Sequence, residues 1–232
     1  MIGGPIASAR AAVIAAALAC WSSAALAAEA PAKRPDFNGV WTQTKFIGTL
    51  KTLKGSLPPL KPEALALYRQ RVADRAAGKP VKDPIDDCVP HGVPRLMYAP
   101  YPMLFLQRPE QLSVVQQANH TQRWIYIDQK LPEDGDPKWL GDSVARWEGS
   151  TLVVTTINQN AQTWLNKAGL PHSEAMKVTE RLRLLPGGKT MQNTVTIDDP
   201  QTYTAPWTTV VTFQKRPGMR LQEQVCVRDH KM

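Results

Sequence analysis

The chain has 232 residues, 43% hydrophobic and 21% charged, with a formal net charge of +8. Apart from Arg10, its lysines and arginines are scattered from Lys33 to Lys231 rather than clustered, so no basic stripe marks a nucleic-acid interface. No apolar run reaches the roughly 20 residues that a transmembrane helix requires, and the length suits a single hydrophobic core.

The N-terminus reads as a signal peptide over residues 1–27. Arg10 supplies a sparse positive start, Ala11 to Ala19 a short apolar run, and Ala25-Leu26-Ala27 a cleavage-type ending. A lipoprotein reading through Cys20 ranks second, because Ala17 stands where a lipidation box carries a large aliphatic residue. Processing after Ala27 predicts a periplasmic or secreted protein with a flexible leader over 28–36, no integral membrane segment, and one domain over 37–232. It also removes Cys20, which leaves Cys88 and Cys226 to pair in an oxidising compartment. A metal reading of Cys88-Val89-Pro90-His91 has no second ligand pair at zinc-type spacing to complete it, so no metal site is expected.

Phe37-Asn38-Gly39-Val40-Trp41 opens the domain as a strand, and its G-x-W is the feature found at the first strand of lipocalin-like barrels. Pro62 at a first helical position, followed by Leu65, Leu67, Tyr68, Val72 and Ala76, predicts one helix over Pro62–Ala77. Arg69, Arg71, Asp74 and Arg75 would form its solvated face. Prolines at 80, 84, 90, 94, 100 and 102 then make a long irregular segment, held at Cys88 and placed to cover one mouth of a pocket.

From Met103 the pattern becomes short strands with turns between them. They are predicted near Met103–Arg108, Gln111–Gln117, Thr121–Asp128, Ser143–Trp147, Thr151–Asn158, Met176–Leu185, Thr190–Asp198, Trp207–Gln214 and Arg220–Val227. The fold class is therefore mainly β: an antiparallel meander of about nine strands, closed into a lipocalin-like barrel or strongly curved. The acidic stretch Pro132-Glu133-Asp134-Gly135-Asp136-Pro137 lacks EF-hand spacing and reads as a turn.

Alternation in the last strands places Glu180, Asn193 and Glu223 in phase with apolar residues, while Arg181 falls on the face opposite Glu180. A carboxylate facing inward needs a partner or a wetted cavity, and that favours a lined pocket over a solid core. The long connection between Asn158 and Met176 carries Trp164, Asn166, His172, Ser173 and Glu174, and imidazole is the side chain best matched to proton transfer near neutral pH. His172 with Glu174 or Glu180 is thus the expected acid/base pair, with Arg181, Asn193, Trp164, Glu223 and Arg123 as substrate-binding candidates. His91 and His120 read as solvated loop residues, and His230 as part of a terminal tail.

Several of these motifs occur together: Arg146-Trp147-Glu148-Gly149 with Thr151-Leu152-Val153-Val154, Thr163-Trp164, Gly169-Leu170-Pro171-His172-Ser173-Glu174, Glu180-Arg181, and Ile197-Asp198-Asp199-Pro200 with Tyr203 and Pro206-Trp207. In this the chain resembles a family of exported bacterial proteins usually labelled hypothetical. The resemblance implies export and a single domain, without implying a reaction. The family pattern often has aspartate where this chain has Ser150 and Asn166, which counts against any role for a carboxylate at those positions.

No P-loop, dinucleotide fingerprint, H-E-x-x-H or haem-attachment motif occurs, and no cofactor is expected. The sequence is read as a cofactor-independent lyase, isomerase or hydratase acting on a small aromatic or hydrophobic compound. A periplasmic binding or carrier protein that uses the same pocket without chemistry is the alternative.

Overall fold

The computed structural model describes residues 1–4, 34–132 and 134–227. The expected signal peptide with Cys20, most of the leader, Glu133 and His230 lie outside the described residues. The chain separates into two units, Met1–Pro31 and Ala32–Met232, and the strands and helices of the described residues belong to the second.

Nine strands close a barrel in sequence order: β1 (Gly39–Gln43), β2 (Met103–Gln107), β3 (Gln111–Gln116), β4 (Gln122–Ile127), β5 (Asp142–Glu148), β6 (Thr151–Ile157), β7 (Lys177–Leu184), β8 (Thr190–Asp198) and β9 (Trp207–Lys215). Alternation makes these segments strands with one buried face. In β8, Met191, Asn193, Val195 and Ile197 point inward and the residues between them outward, and β7, β4 and β3 repeat the pattern. Trp41 of the G-x-W is fully buried, and its Nε1 donates to the Phe37 carbonyl at 2.8 Å. Pairing of β1 with both β2 and β9 closes the ring. Among the described residues no helix is long and apolar enough to cross a membrane.

The expected meander needs one correction. A ring of nine strands cannot alternate in direction all the way round, so closure of an odd number demands a parallel pair somewhere. That pair is β4–β5, in register from Ile125↔Ser143 to Ile127↔Ala145. Residues 128–141, which include the acidic Pro132–Pro137 stretch, supply the crossover that a parallel pair requires. A second correction concerns Arg220–Val227, which is not a strand. Once β9 pairs with β1 no free edge remains to accept another strand, and Glu223, Val225 and Val227 are exposed. The tail is held instead by the Cys88–Cys226 disulfide, whose Cα atoms are 5.5 Å apart.

Helix α1 spans Pro62–Ala76 with Pro62 in its first turn. It ends in a Schellman arrangement: the Gly78 N–H donates to the Arg75 carbonyl at 3.1 Å and the Lys79 N–H to the Asp74 carbonyl at 2.9 Å. Its inner face differs from the expected one, since Leu67 and Val72 are exposed while Tyr68 is buried and Arg71 and Arg75 turn inward. The cause is a neighbour invisible to helical periodicity. The Arg71 guanidinium lies 4.6 Å above the Trp164 ring and donates to the Gly169 carbonyl at 2.7 Å. Gly169 has φ +93°, and a Cβ there would come within 2.7 Å of the Arg71 side chain, so this close approach requires glycine.

Candidate functional site

The proline-rich segment enters the mouth of the barrel. Every residue from His91 to Ala99 is buried, including a single helical turn, α2 (Arg95–Tyr98). Side chains of the barrel and its loops bind the backbone of this plug. Gln116 donates to the Leu96 carbonyl at 2.7 Å, Gln43 donates to the Ala99 carbonyl at 2.8 Å, and Gln159 accepts from the Val93 N–H at 2.9 Å. Gly92, at φ +75°, lies so close to Thr163 that a Cβ would come within 2.5 Å of its Oγ1. Cys88 ties the start of the segment to the C-terminal tail, so its sulfur is spent in the disulfide.

Between this plug and the segments around it lies a cavity of about 400 Å³. His91, Arg95, Tyr98, Tyr101 and Asn166 line it, with Phe46, Arg75 and Lys167 also on its walls. Arg95 is buried and forms a two-pronged ion pair with buried Asp83, Nη1 to Oδ1 at 2.9 Å and Nη2 to Oδ2 at 2.6 Å. Asp83 also caps the short 3-10 turn Pro84–Asp87, which fixes its carboxylate in place.

His91, expected to be solvated, is only 5% exposed and packs against the Tyr101 ring at 5.8 Å. Among the described residues neither of its ring nitrogens is hydrogen-bonded. Burial lowers its pKa to about 4, with the Arg95 charge adding to the effect and Asp83 opposing it. It is therefore a neutral imidazole at physiological pH, with both nitrogens uncommitted. Burial pushes the Tyr98 phenol well above its usual pKa, and its hydroxyl donates to the Leu165 carbonyl. The Asn166 side-chain amide nitrogen is buried without a partner, while its oxygen accepts from the Leu170 N–H at 3.1 Å.

The residues expected to form the site lie elsewhere. Glu180, Asn193 and Arg123 do face the interior, where they bind one another: Arg123 Nη2 donates to Glu180 Oε2 at 2.5 Å, and Asn193 Nδ2 to Glu180 Oε1 at 2.8 Å. Ser143 and Thr156 complete the cluster as hydrogen-bond partners of Arg123. Glu180 is thus committed to a buried ion pair and does not reach His172.

His172 is also buried, but both its nitrogens are occupied, Nε2 with Thr163 Oγ1 at 2.8 Å and Nδ1 with the Ser173 carbonyl at 3.1 Å. Glu174 is exposed, so the expected acid/base pair is not formed. Arg181 stands on the outer surface, bound to Glu148 at 2.8 Å, as the alternation of its strand dictates. Glu223 is exposed on the tail, and Trp164 is covered by Arg71.

The motifs behind the resemblance bind chiefly to one another. Asp199 accepts from the Ser173 N–H at 2.7 Å, the Ser173 hydroxyl at 2.6 Å, and the N–H groups of Gln201 and Thr202. Tyr203 donates to the Pro171 carbonyl at 2.9 Å. Together they latch the 158–176 connection onto the turn between β8 and β9. Sequence reasoning missed Asp83, His91, Arg95, Tyr98 and Tyr101 as a group. The available signal was their position, since all belong to the long proline-rich segment expected to cover a pocket.

No protein-family model matches the chain, and no curated protein matches it either. The functional reading therefore rests on the site itself.

Proposed function

We propose that the chain is an exported, cofactor-independent acid/base enzyme of the lyase, isomerase or hydratase class. Its substrate is a small aromatic compound bearing an anionic group, held in the pocket at the barrel mouth. One observation carries this reading: a buried, neutral His91 with no hydrogen-bonding partner in a cavity that also presents phenol and guanidinium groups. A bound anion beside His91 would offset the burial and the Arg95 charge that hold its pKa at about 4, so that the neutral imidazole can take a proton from the ligand once the cavity is filled, and Tyr101 and Phe46 offer aromatic walls. Arg75, Arg95 and Lys167 outnumber Asp83 and Asp86 in the cavity lining, and with Arg95 balanced by Asp83 this small positive excess favours a carboxylate or phenolate. Export is part of the proposal and is supported by the disulfide, which persists in oxidising compartments.

A second reading is favoured by the partner of Arg95. Asp83 is engaged by that arginine, and the other carboxylate lining the cavity, Asp86, accepts from the Asp83 N–H at 3.2 Å; with neither shown bound to His91 to orient it for proton transfer, the same pocket would serve a periplasmic carrier. Titration of the purified chain with a panel of substituted benzoates and cinnamates, followed by mass spectrometry of each incubated mixture, separates the two. Binding with a changed ligand mass or isomer supports the enzyme, and binding without change supports the carrier. If no aromatic anion binds, or if binding is indifferent to Lys167→Ala and Arg75→Ala, the ligand class is wrong.

A further inference from the structure

The outer face of β4 presents Gln122, Trp124 and Tyr126. Trp124 is 54% exposed and Tyr126 36%, a large apolar area to leave in water on a protein whose other barrel strands direct their aromatic rings mainly inward or under loops. The two rings stand on alternate residues of one strand, hence about 7 Å apart along it. The crossover leading to β5 passes beside them and brings Lys138, Leu140, Gly141 and Asp142 against the strand. Together these residues enclose a groove of about 290 Å³ with Arg123 and Ser143 also in its lining. The groove shares no residue with the cavity at the barrel mouth.

Its charges cancel. Lys138 Nζ binds Asp142 Oδ1 at 2.5 Å, Asp142 Oδ2 accepts from Asn158 at 3.0 Å, and the Arg123 charge is matched by Glu180 in the interior. Among the described residues lining the groove both cations are paired, so an anionic ligand would meet neutralised charge and the Asp142 carboxylate. What the groove offers is a pair of exposed aromatic side chains beside polar groups that can still donate and accept hydrogen bonds: the Gln122 amide, the Asp142 carboxylate and the Lys138 ammonium. We propose that this groove is a second ligand site, built for a neutral sugar ring. The axial C–H groups of a pyranose carry partial positive charge and suit the negative face of an indole or phenol ring. The equatorial hydroxyls then lie at the rim, within reach of amide, carboxylate and ammonium. This site does not depend on what occupies the mouth pocket.

Isothermal titration of the full chain tests it, using neutral oligosaccharides of glucose in α-1,4 and β-1,4 linkage and of N-acetylglucosamine, with oligouronates and benzoate as charged arms. The expected result is that at least one neutral series binds and shifts tryptophan emission to the blue as Trp124 is covered. Trp124→Ala should then weaken affinity at least tenfold while the melting temperature holds. Should Trp124→Ala lose its native circular dichroism, Tyr126→Ala on the same face carries the test. The proposal is overturned if no neutral oligosaccharide binds, if binding is unchanged in the aromatic variants, or if a charged arm binds in preference and depends on Trp124.

Discussion

Two irregular segments meet at the mouth of this barrel, and they use their histidines in opposite ways. The connection over 158–176 commits its histidine and is tied to the β8–β9 turn: His172 binds Thr163 and Ser173, Ser173 binds Asp199, and the Pro171 carbonyl accepts from Tyr203, while Gln159 Nε2 and Asn166 Nδ2 stay buried without a partner among the described residues. The proline-rich segment over 80–102 inserts its backbone into the mouth and leaves His91 facing a cavity with free nitrogens. Both segments carry a buried histidine, yet only one imidazole is uncommitted. Density of polar residues in a long loop therefore does not identify a site. What identifies it is a titratable side chain that the fold has enclosed beside a cavity without committing it to a neighbour, because a group so placed is free to exchange a hydrogen bond or a proton with whatever fills that cavity.

The sharpest way to break this comparison is to exchange the roles of the two histidines. With a turned-over ligand in hand, His91→Gln should lower kcat by about 10²–10⁴-fold, the usual contribution of a positioned proton-transfer group. His172→Gln should leave kcat near that of the parent while lowering unfolding free energy by about 1–3 kcal/mol, the cost of unsatisfying buried partners. Steady-state kinetics beside urea denaturation reads both effects. The reverse pattern would return the site to the 158–176 connection.

A second contrast sets Asp83 against Asp199. Removing the Asp83 carboxylate strands the buried Arg95 charge, so Asp83→Ala should cost about 3–5 kcal/mol and also weaken ligand binding, since Arg95 lines the cavity. Asp199→Ala releases several neutral donors instead, for about 1–3 kcal/mol, and should spare binding. Denaturant midpoints with and without ligand compare the two. Equal losses of affinity would show that the latch shapes the pocket as much as the plug does.

How much of this was legible in the sequence depends on whether a residue's fate is decided locally. Glu180 and Asn193 could be placed inward because strand alternation is a local property, and the same alternation already set Arg181 outside. The disulfide followed from the cysteine count. The parallel β4–β5 pair was not legible, because it follows from closure of an odd-numbered ring, a property of the whole sheet. Arg220–Val227 has a strand's alternation, but an extended segment needs a free edge and β1 had taken it. His91 lies between Pro90 and Gly92, where no periodicity indicates burial. Its environment is made by Asp83, Arg95 and Tyr101, which reach it only through the path of the plug.

The most gradual expected effect concerns protons, and it bears on the same pair of histidines. The native pKa of His91 lies at about 4, below the 6.5 of an unperturbed imidazole, because burial disfavours the cation and Arg95 repels it. Between those two values the unfolded chain binds a proton that the native chain refuses. Stability should therefore fall as pH drops from about 6.5 to about 4 and level off below, apart from the acid-side losses of paired carboxylates such as Asp142 and Glu148. A shift of this size corresponds to about 3 kcal/mol at most, at 1.36 kcal/mol per unit. The His172 pKa is also lowered, chiefly by burial, but the Ser173 carbonyl and the Asp199 charge oppose the shift, so its slope should be shallower. Urea denaturation at half-unit steps from pH 4 to 7.5 resolves the two contributions. His91→Gln should remove most of the slope and His172→Gln only a minor part. If the slope survives in His91→Gln and vanishes in His172→Gln, the uncommitted imidazole is not the one at the pocket.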